Sequence, residues 1–438
     1  MNKSEKIIAL FVITVFLMGC KNHYEVGGID MKLSFNSLEE AKKVVHDIKA
    51  QKGLPKGGIV ISINDGNYFL SSSFELSEED SGTKDSPVIY RGKSREGVKI
   101  RGGKRIAGWQ KVTNPEILRR LPPDAAKYVL EADLIKNGIT DCGTMKSRGF
   151  SRAISPAALE LFCNGKPMVM ARWPNRGFVH ITDIVRDNAK DDSWGGAIGL
   201  PESGFYFKNE RIKRWIFTDD IWVHGYWCWD WANSYERIVS IDKESGLIKT
   251  AEPYCVYGFR ANQRFFFLNV LEELDQPGEW YLDKKEGKIY FWPPEPIVNC
   301  EVWGSVTAEP LVKLKNVSYV RIENMTFEYT RGNGIEIEGG NNIIVAGCTI
   351  NNTGNNGIVI NGGLEHTVLS CDITYTGDCG VYIKGGDRKT LTPCNHRVEN
   401  CDIHHFSRWS RCYCPAIYGE GVGMRFVANR LHLSLIHI

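Results

Sequence analysis

The residues best suited to chemistry gather late in the chain, between Asp378 and Glu420. Hydrolysis by acid–base chemistry needs two carboxyl groups flanking the scissile bond, one of them protonated near neutral pH, with polar or aromatic groups beside them to hold the substrate. Asp378 and Asp387 are the first carboxyl candidates and Glu420 is a third, while His404 offers an acid–base group directly after a strand-like run. Arg388, Trp409, Arg411 and Tyr413 are candidates for substrate contact, since aromatic faces stack on sugar rings and a guanidinium clamps a carboxylate. Each has a structural alternative. Asp378 follows Gly377 at a turn, where Asp commonly bonds its own backbone. Asp387 and Arg388 could pair to hold their loop, and His404 could be a packed loop residue. The separation of the carboxyl groups is not encoded locally, so retaining, inverting and lyase chemistry all stay open.

These residues must be positioned by the repeat that precedes and contains them. Phe327, Ile350 and Ile373 recur every 23 residues, as do Gly334, Gly357 and Gly380 and the pairs Gly339-Gly340, Gly362-Gly363 and Gly385-Gly386. Each repeat holds short runs of period-two alternation broken by Gly, Asn and Thr, which predicts strands and turns. A unit too small to bury its own apolar face must stack on its neighbours. The prediction is an all-β chain, a parallel β-helix. Val398–Ile403 matches Val368–Ile373 after 30 residues instead of 23, so the loop around Asp387–Asn395 is an insertion. Asn351, Asn352, Asn355 and Asn356 read as turn-ladder residues.

Upstream, Ser37-Leu38-Glu39-Glu40 predicts a capping box opening a helix from Leu38 to Ala50, with Ala41, Val44, Val45 and Ile48 on one face. Such a helix would plug the open end of the solenoid. Short strands over 59–63, 74–76, 88–90 and 98–100 read as its first coils. The repeat register is then lost from about 111 to 300, where strand-like runs predict an inserted antiparallel β domain. Its Trp227, Trp229 and Trp231 alternate, as core packing or a carbohydrate platform would. The expected organisation is thus a leader over 1–19, a tether over 20–31, the cap and first coils over 32–110, the insert over 111–300 and further coils over 301–432.

The two ends have their own readings. A basic start and the apolar run Ile7–Met18, too short to span a bilayer, close on Leu17-Met18-Gly19-Cys20. That resembles a bacterial lipobox, so Cys20 is the expected lipidation site, anchoring an exported protein in the cell envelope, on the outer membrane. Leu433–Ile438 resembles the translation of a sequencing adapter, and the coils are expected to continue beyond a truncated fragment.

A net charge of +2 with dispersed signs argues against nucleic acid. Of the 13 Cys, Cys348, Cys371 and Cys401 share one column, which favours an interior ladder of buried thiols over disulfides, while Cys394, Cys412 and Cys414 could pair. The absence of CxxC pairs and of acidic calcium-loop spacing predicts neither a metal nor a cofactor. A monomer is expected.

The runs Leu161–Lys166, Ala171–Asn175, Pro277–Asp283, Gly385–Leu391 and Ile403–Trp409 carry a resemblance. Together they resemble bacterial right-handed parallel β-helix proteins of the pectate-lyase-like superfamily, the family 141 glycoside hydrolases most of all. The resemblance implies hydrolysis of a plant or host polysaccharide, such as fucosylated pectin or xylan, with further carboxylates in coils beyond those present. A polysaccharide lyase and a non-catalytic glycan-binding lipoprotein are the alternatives.

Overall fold

A lone period-two strand leaves both of its edges unpaired, and here each finds its partners one turn of the solenoid away. The computed structural model describes residues 23–26, 29–31, 37–193 and 195–434, with side chains from 37 onward. The expected leader over 1–19, Cys20, part of the tether and Leu435–Ile438 of the expected adapter tail lie outside the described residues.

Three parallel sheets form the solenoid. The first runs through Ile59–Ile63, Val88–Gly92, Val320–Glu323, Ile344–Ala346, Thr367–Leu369, Arg397–Glu399 and Arg425–Val427. The second includes Val98–Arg101, Thr326–Thr330, Thr349–Thr353, Asp372–Thr374, Asp402–His404 and Arg430–His432. The third includes Phe74–Leu76, Val312–Lys315, Ile335–Glu338, Ile358–Asn361, Val381–Gly385 and Ile417–Gly421. Phe327, Ile350, Ile373 and Ile403 pair in register and lie in one interior file, each at most 1% exposed. Cys348, Cys371 and Cys401 form a second file, their thiols donating to backbone carbonyls. All described cysteines are free.

Helix α1, Leu38–Lys52, caps this core, with Ser37 accepting from the Glu40 amide. Its Leu38, Ala41 and Val45 join the apolar cluster that runs the length of the solenoid. Among the described residues no helix is long and apolar enough to cross a membrane.

The insert leaves the solenoid without disturbing its register. Val98–Arg101 pairs directly with Thr326–Thr330, and Phe74–Leu76 with Val312–Lys315. The intervening chain therefore departs after a second-sheet strand and returns before a third-sheet strand. It stands at the corner between those sheets. Its largest sheet is antiparallel and includes Arg172–Trp173, Arg264–Leu268, Trp222–Tyr226 and Asn233–Ile241. The run Arg264–Leu268 is apolar on both faces because both are covered. Phe265 and Phe267 pack into the insert's own aromatic core, whereas Phe266 and Leu268 face a cluster shared with Trp409 of the solenoid loop.

The tryptophan stripe does not survive as a strand face. The strand ends at Tyr226, and the chain turns through the next residues. Trp227 is buried in the insert core, Trp229 lies under the Arg260 guanidinium, and Trp231 is 44% exposed.

If the interior file carries the stability, Ile373→Ala should cost about 2–5 kcal/mol in urea unfolding. Truncating Thr374, which points outward on the same strand, should cost less than about 1 kcal/mol.

Candidate functional site

Position along a coil decides which side chains can meet. The turn from second to third sheet holds Gly354-Asn355-Asn356 in one coil and Gly377-Asp378-Cys379 in the next. One coil further on it swells into the loop Ser407–Pro415, at the same corner from which the insert departs. Asp378, the loop and the insert therefore converge. Asp387 does not join them. It lies between Val381–Gly385 and Arg397–Glu399, at the corner between third and first sheets.

At the convergent corner Asp378 is buried beneath Arg148, which the insert supplies. One guanidinium nitrogen donates to both Asp378 oxygens, at 2.9 and 3.0 Å, and also to Asn355 Oδ1 at 3.1 Å. The other terminal nitrogen, Arg148 Nη1, is buried without a hydrogen-bond partner. A pocket of about 270 Å³ opens over this pair, lined also by Phe150, Arg152, Ser410, Cys412 and Tyr413. Phe150 is the hub of an aromatic platform, with Trp231, Tyr257 and Tyr413 at ring-centroid distances of 5.2, 5.8 and 5.6 Å. Trp231, Tyr257 and Tyr413 are 44, 39 and 64% exposed, so the faces are open to solvent.

The segment carrying Arg148 is held as a strap against the insert. Tyr235 N donates to Arg148 O at 3.0 Å and Phe150 N to Asn233 O at 2.7 Å. Gly149 makes that approach possible: at φ +118°, a Cβ there would meet Asn233 O at 2.3 Å. A larger cleft of about 720 Å³ shares Ser151, Arg152 and Ala153 with this pocket and is lined also by Ser147, Asp219, Asp220, Trp222 and Glu236. Glu236 is fully buried there. Ser234, Ser147 and Arg152 all favour its anion, yet burial outweighs them and pushes its carboxyl up to about 7. Asp378 and Glu236 thus line different cavities. Among the described residues, Asp378 is the one carboxyl lining the smaller pocket.

The remaining candidates fall in three places. Trp409 is half-buried, donating its indole N–H to Glu160 at 2.9 Å, and Arg408 forks onto the same carboxylate. Arg411 turns away from the pocket to the face of the insert sheet, 5.8 Å from the Phe266 ring, with Nε buried and unpartnered. Its charge adds to burial in pushing Arg172 down to about 10 and the buried His224 well below its ordinary value. Asp387 and Arg388 are exposed, and Asp387 accepts from the Lys389 amide at 2.8 Å, which holds its carboxyl below the usual range. Among the described residues no ion pair joins them. Glu420 pairs with Lys384 on the outer face of the third sheet. His404 stands on the outer face of the second sheet beside His405 and Thr374.

The structure therefore brings Asp378 and Tyr413 together and leaves Asp387, Arg388 and His404 elsewhere. Arg148, Phe150, Tyr257 and Glu236 were not singled out in the sequence. Gly149 between an arginine and a phenylalanine was the one local signal.

Residues 288–432 match the family model for the right handed beta helix region, and residues 237–294 match that for the GH141 insertion domain. The chain is a GH141-like right-handed β-helix protein. A solved structure titled "Glycoside hydrolase" superposes with a TM-score of 0.68 at 19% identity, over 88% of this chain and 72% of that one. A second, "The complex structure of XylC with xylose", gives 0.38 at 10% identity, over 85% and 57%. No curated protein matches the chain.

The raised Glu236 carboxyl has a stability consequence. The folded protein holds this proton to higher pH than the unfolded chain, so the contribution is whole below about 4.5 and is lost as pH rises through about 7. Glu236→Gln should remove that dependence. The difference in unfolding free energy between wild type and variant should move by about 3 kcal/mol across the window, measured by denaturant titration at several pH values.

Proposed function

We propose that this GH141-like chain is a carbohydrate-active protein that binds a glycan at the corner between solenoid and insert, with glycosidic-bond hydrolysis as its chemistry. The observation that carries the reading is the open platform of Trp231, Tyr257 and Tyr413 around Phe150, set beside a buried carboxylate–guanidinium pair. Sugar rings present C–H faces that stack on aromatic rings, while their hydroxyls need fixed polar partners. Arg148 and Ser410 are polar residues of the pocket lining that can supply such partners.

Hydrolysis needs one carboxyl as proton donor and one as anion. Asp378, with both oxygens accepting from Arg148, suits the anionic role of base or nucleophile. The likeness to a solved glycoside hydrolase supports the fold side of this reading, and chemistry still has to be argued from the site. A second reading, glycan binding without turnover, is favoured by the single carboxyl among the described lining residues.

Binding and reducing-end release on plant and host polysaccharides separate the two. Trp231→Ala and Tyr413→Ala should each weaken binding by about 5- to 20-fold, worth about 1–2 kcal/mol. Asp378→Asn should abolish release and leave the glycan bound, with the melting temperature as control for the fold. Affinity unchanged in both aromatic variants would overturn the site. Binding with no release by the wild type would select the second reading.

We further propose that Cys20 is lipidated and carries the protein to the cell envelope, the support being the leader pattern that ends on Leu17-Met18-Gly19-Cys20. Metabolic labelling with a fatty-acid analogue should mark the wild type and not Cys20→Ala.

A further inference from the structure

We propose that Asp402, His404 and His432 form a binding site for a divalent transition metal of the zinc class on the outer face of the second sheet. The register of the solenoid assembles it. Asp402 and His404 are two residues apart on one strand, so their side chains leave the same face. His432 stands one rung above His404 in the paired strand.

Along that column the outward residues of successive coils are Glu328, Asn351, Thr374, His404 and His432. Two imidazoles thus follow one another only at the last two rungs, directly beside the Asp402 carboxylate. One ligand atom from each of Asp402, His404 and His432 lies within 4.8 Å of the others. His432 Nε2 already faces Asp402 Oδ1 at 2.8 Å, and the two imidazole rings lie 4.8 Å apart at 33°. Bonds of about 2.0–2.2 Å to one ion require these atoms to readjust around it, which rotation of half-exposed side chains supplies.

The surroundings hold the ligands as metal sites require. His404 Nδ1 is engaged by Thr374 Oγ1 at 3.1 Å and by His405 Nδ1 at 2.7 Å, so Nε2 is the atom left to coordinate. Arg430 approaches the other Asp402 oxygen only to 3.7 Å, and Arg95 is occupied by Asp372 at 2.7 Å. Two imidazoles and one carboxylate are borderline donors, which favour zinc over calcium or magnesium. Three protein ligands leave a coordination position for water. An ion here would bridge two coils that are otherwise joined by backbone hydrogen bonds and the interior file.

A second group, Cys163, Glu295 and Cys300, could also take zinc and must be separated in the test. Zinc is titrated into the full chain against a chelating indicator, in wild type, His404→Ala, His432→Ala, Asp402→Asn and the double variant Cys163→Ser/Cys300→Ser. One equivalent should bind in the wild type and persist in the double variant. It should fall by at least about 100-fold in affinity in each of the three ligand variants. Thr374→Val should weaken it by about 10-fold with the stoichiometry unchanged. Zinc should raise the melting temperature of wild type and not of His404→Ala. Cobalt in the same site should give visible d–d bands without the near-ultraviolet charge transfer of a thiolate. No uptake by wild type, or equal uptake in all three ligand variants, or uptake abolished by the double cysteine variant, would each overturn the proposal.

Discussion

Every coil of this protein depends on the one below it. A strand such as Asp372–Thr374 has three residues and cannot hold itself; it exists because Thr349–Thr353 and Asp402–His404 pair with its two edges. The apolar files inside impose the register. A slip by one residue would turn Ile373 out to solvent and bring Asp372 or Thr374 inward. The same constraint that buries the core also fixes what the outside presents. Residues of like position pile at 4.8 Å or so along each face, and functional groups are built by stacking instead of by neighbouring in sequence.

That accounts for what could and could not be read beforehand. Spacing alone was enough for the solenoid, since Phe327, Ile350 and Ile373 announce a common column and pair in register within it. The capping helix was legible from Ser37 and the face of Ala41 and Val45, both of which it buries. The site was legible only in part. Asp378 and Asp387 are close in sequence, yet a whole third-sheet strand, Val381–Gly385, lies between them and delivers them to different corners. Choosing between them required each run to be assigned to its sheet. Arg148 and Phe150 come from a strap without periodicity, and their role arises only when the insert docks. Trp227, Trp229 and Trp231 looked like one face because they alternate, but the strand stops before them and only Trp231 remains open.

The docking itself is unusual in its chemistry. Three arginine–carboxylate pairs hold the strap, the insert and the solenoid together: Arg148 with Asp378, Arg408 with Glu160, and Arg152 with Glu236. Each carboxylate partner is almost wholly buried. Removing a charge from water costs several kcal/mol, and well-packed apolar residues often hold an interface as well or better. Stability is therefore a poor reason for placing three such pairs here. What they impose is direction, most strictly at Arg408, whose two terminal nitrogens fork onto the two Glu160 oxygens and so tolerate little rotation.

Direction matters most where two bodies must present one surface. Phe150 comes from the strap, Trp231 and Tyr257 from the insert, and Tyr413 from the solenoid loop. If insert and loop moved independently, the platform would come apart, and each exposed ring would be an isolated apolar patch. Arg148 donates to Asp378 while its backbone carbonyl accepts from Tyr235, so one residue ties solenoid turn, strap and insert sheet at the edge of that platform. Arg408 does the same for the loop, reaching Glu160 of the insert and the Thr353 carbonyl of the solenoid. The buried charges are thus placed where orientation of the aromatic faces would otherwise be lost. The Asp378–Arg148 pair serves the geometry of the pocket even before any part it takes in chemistry.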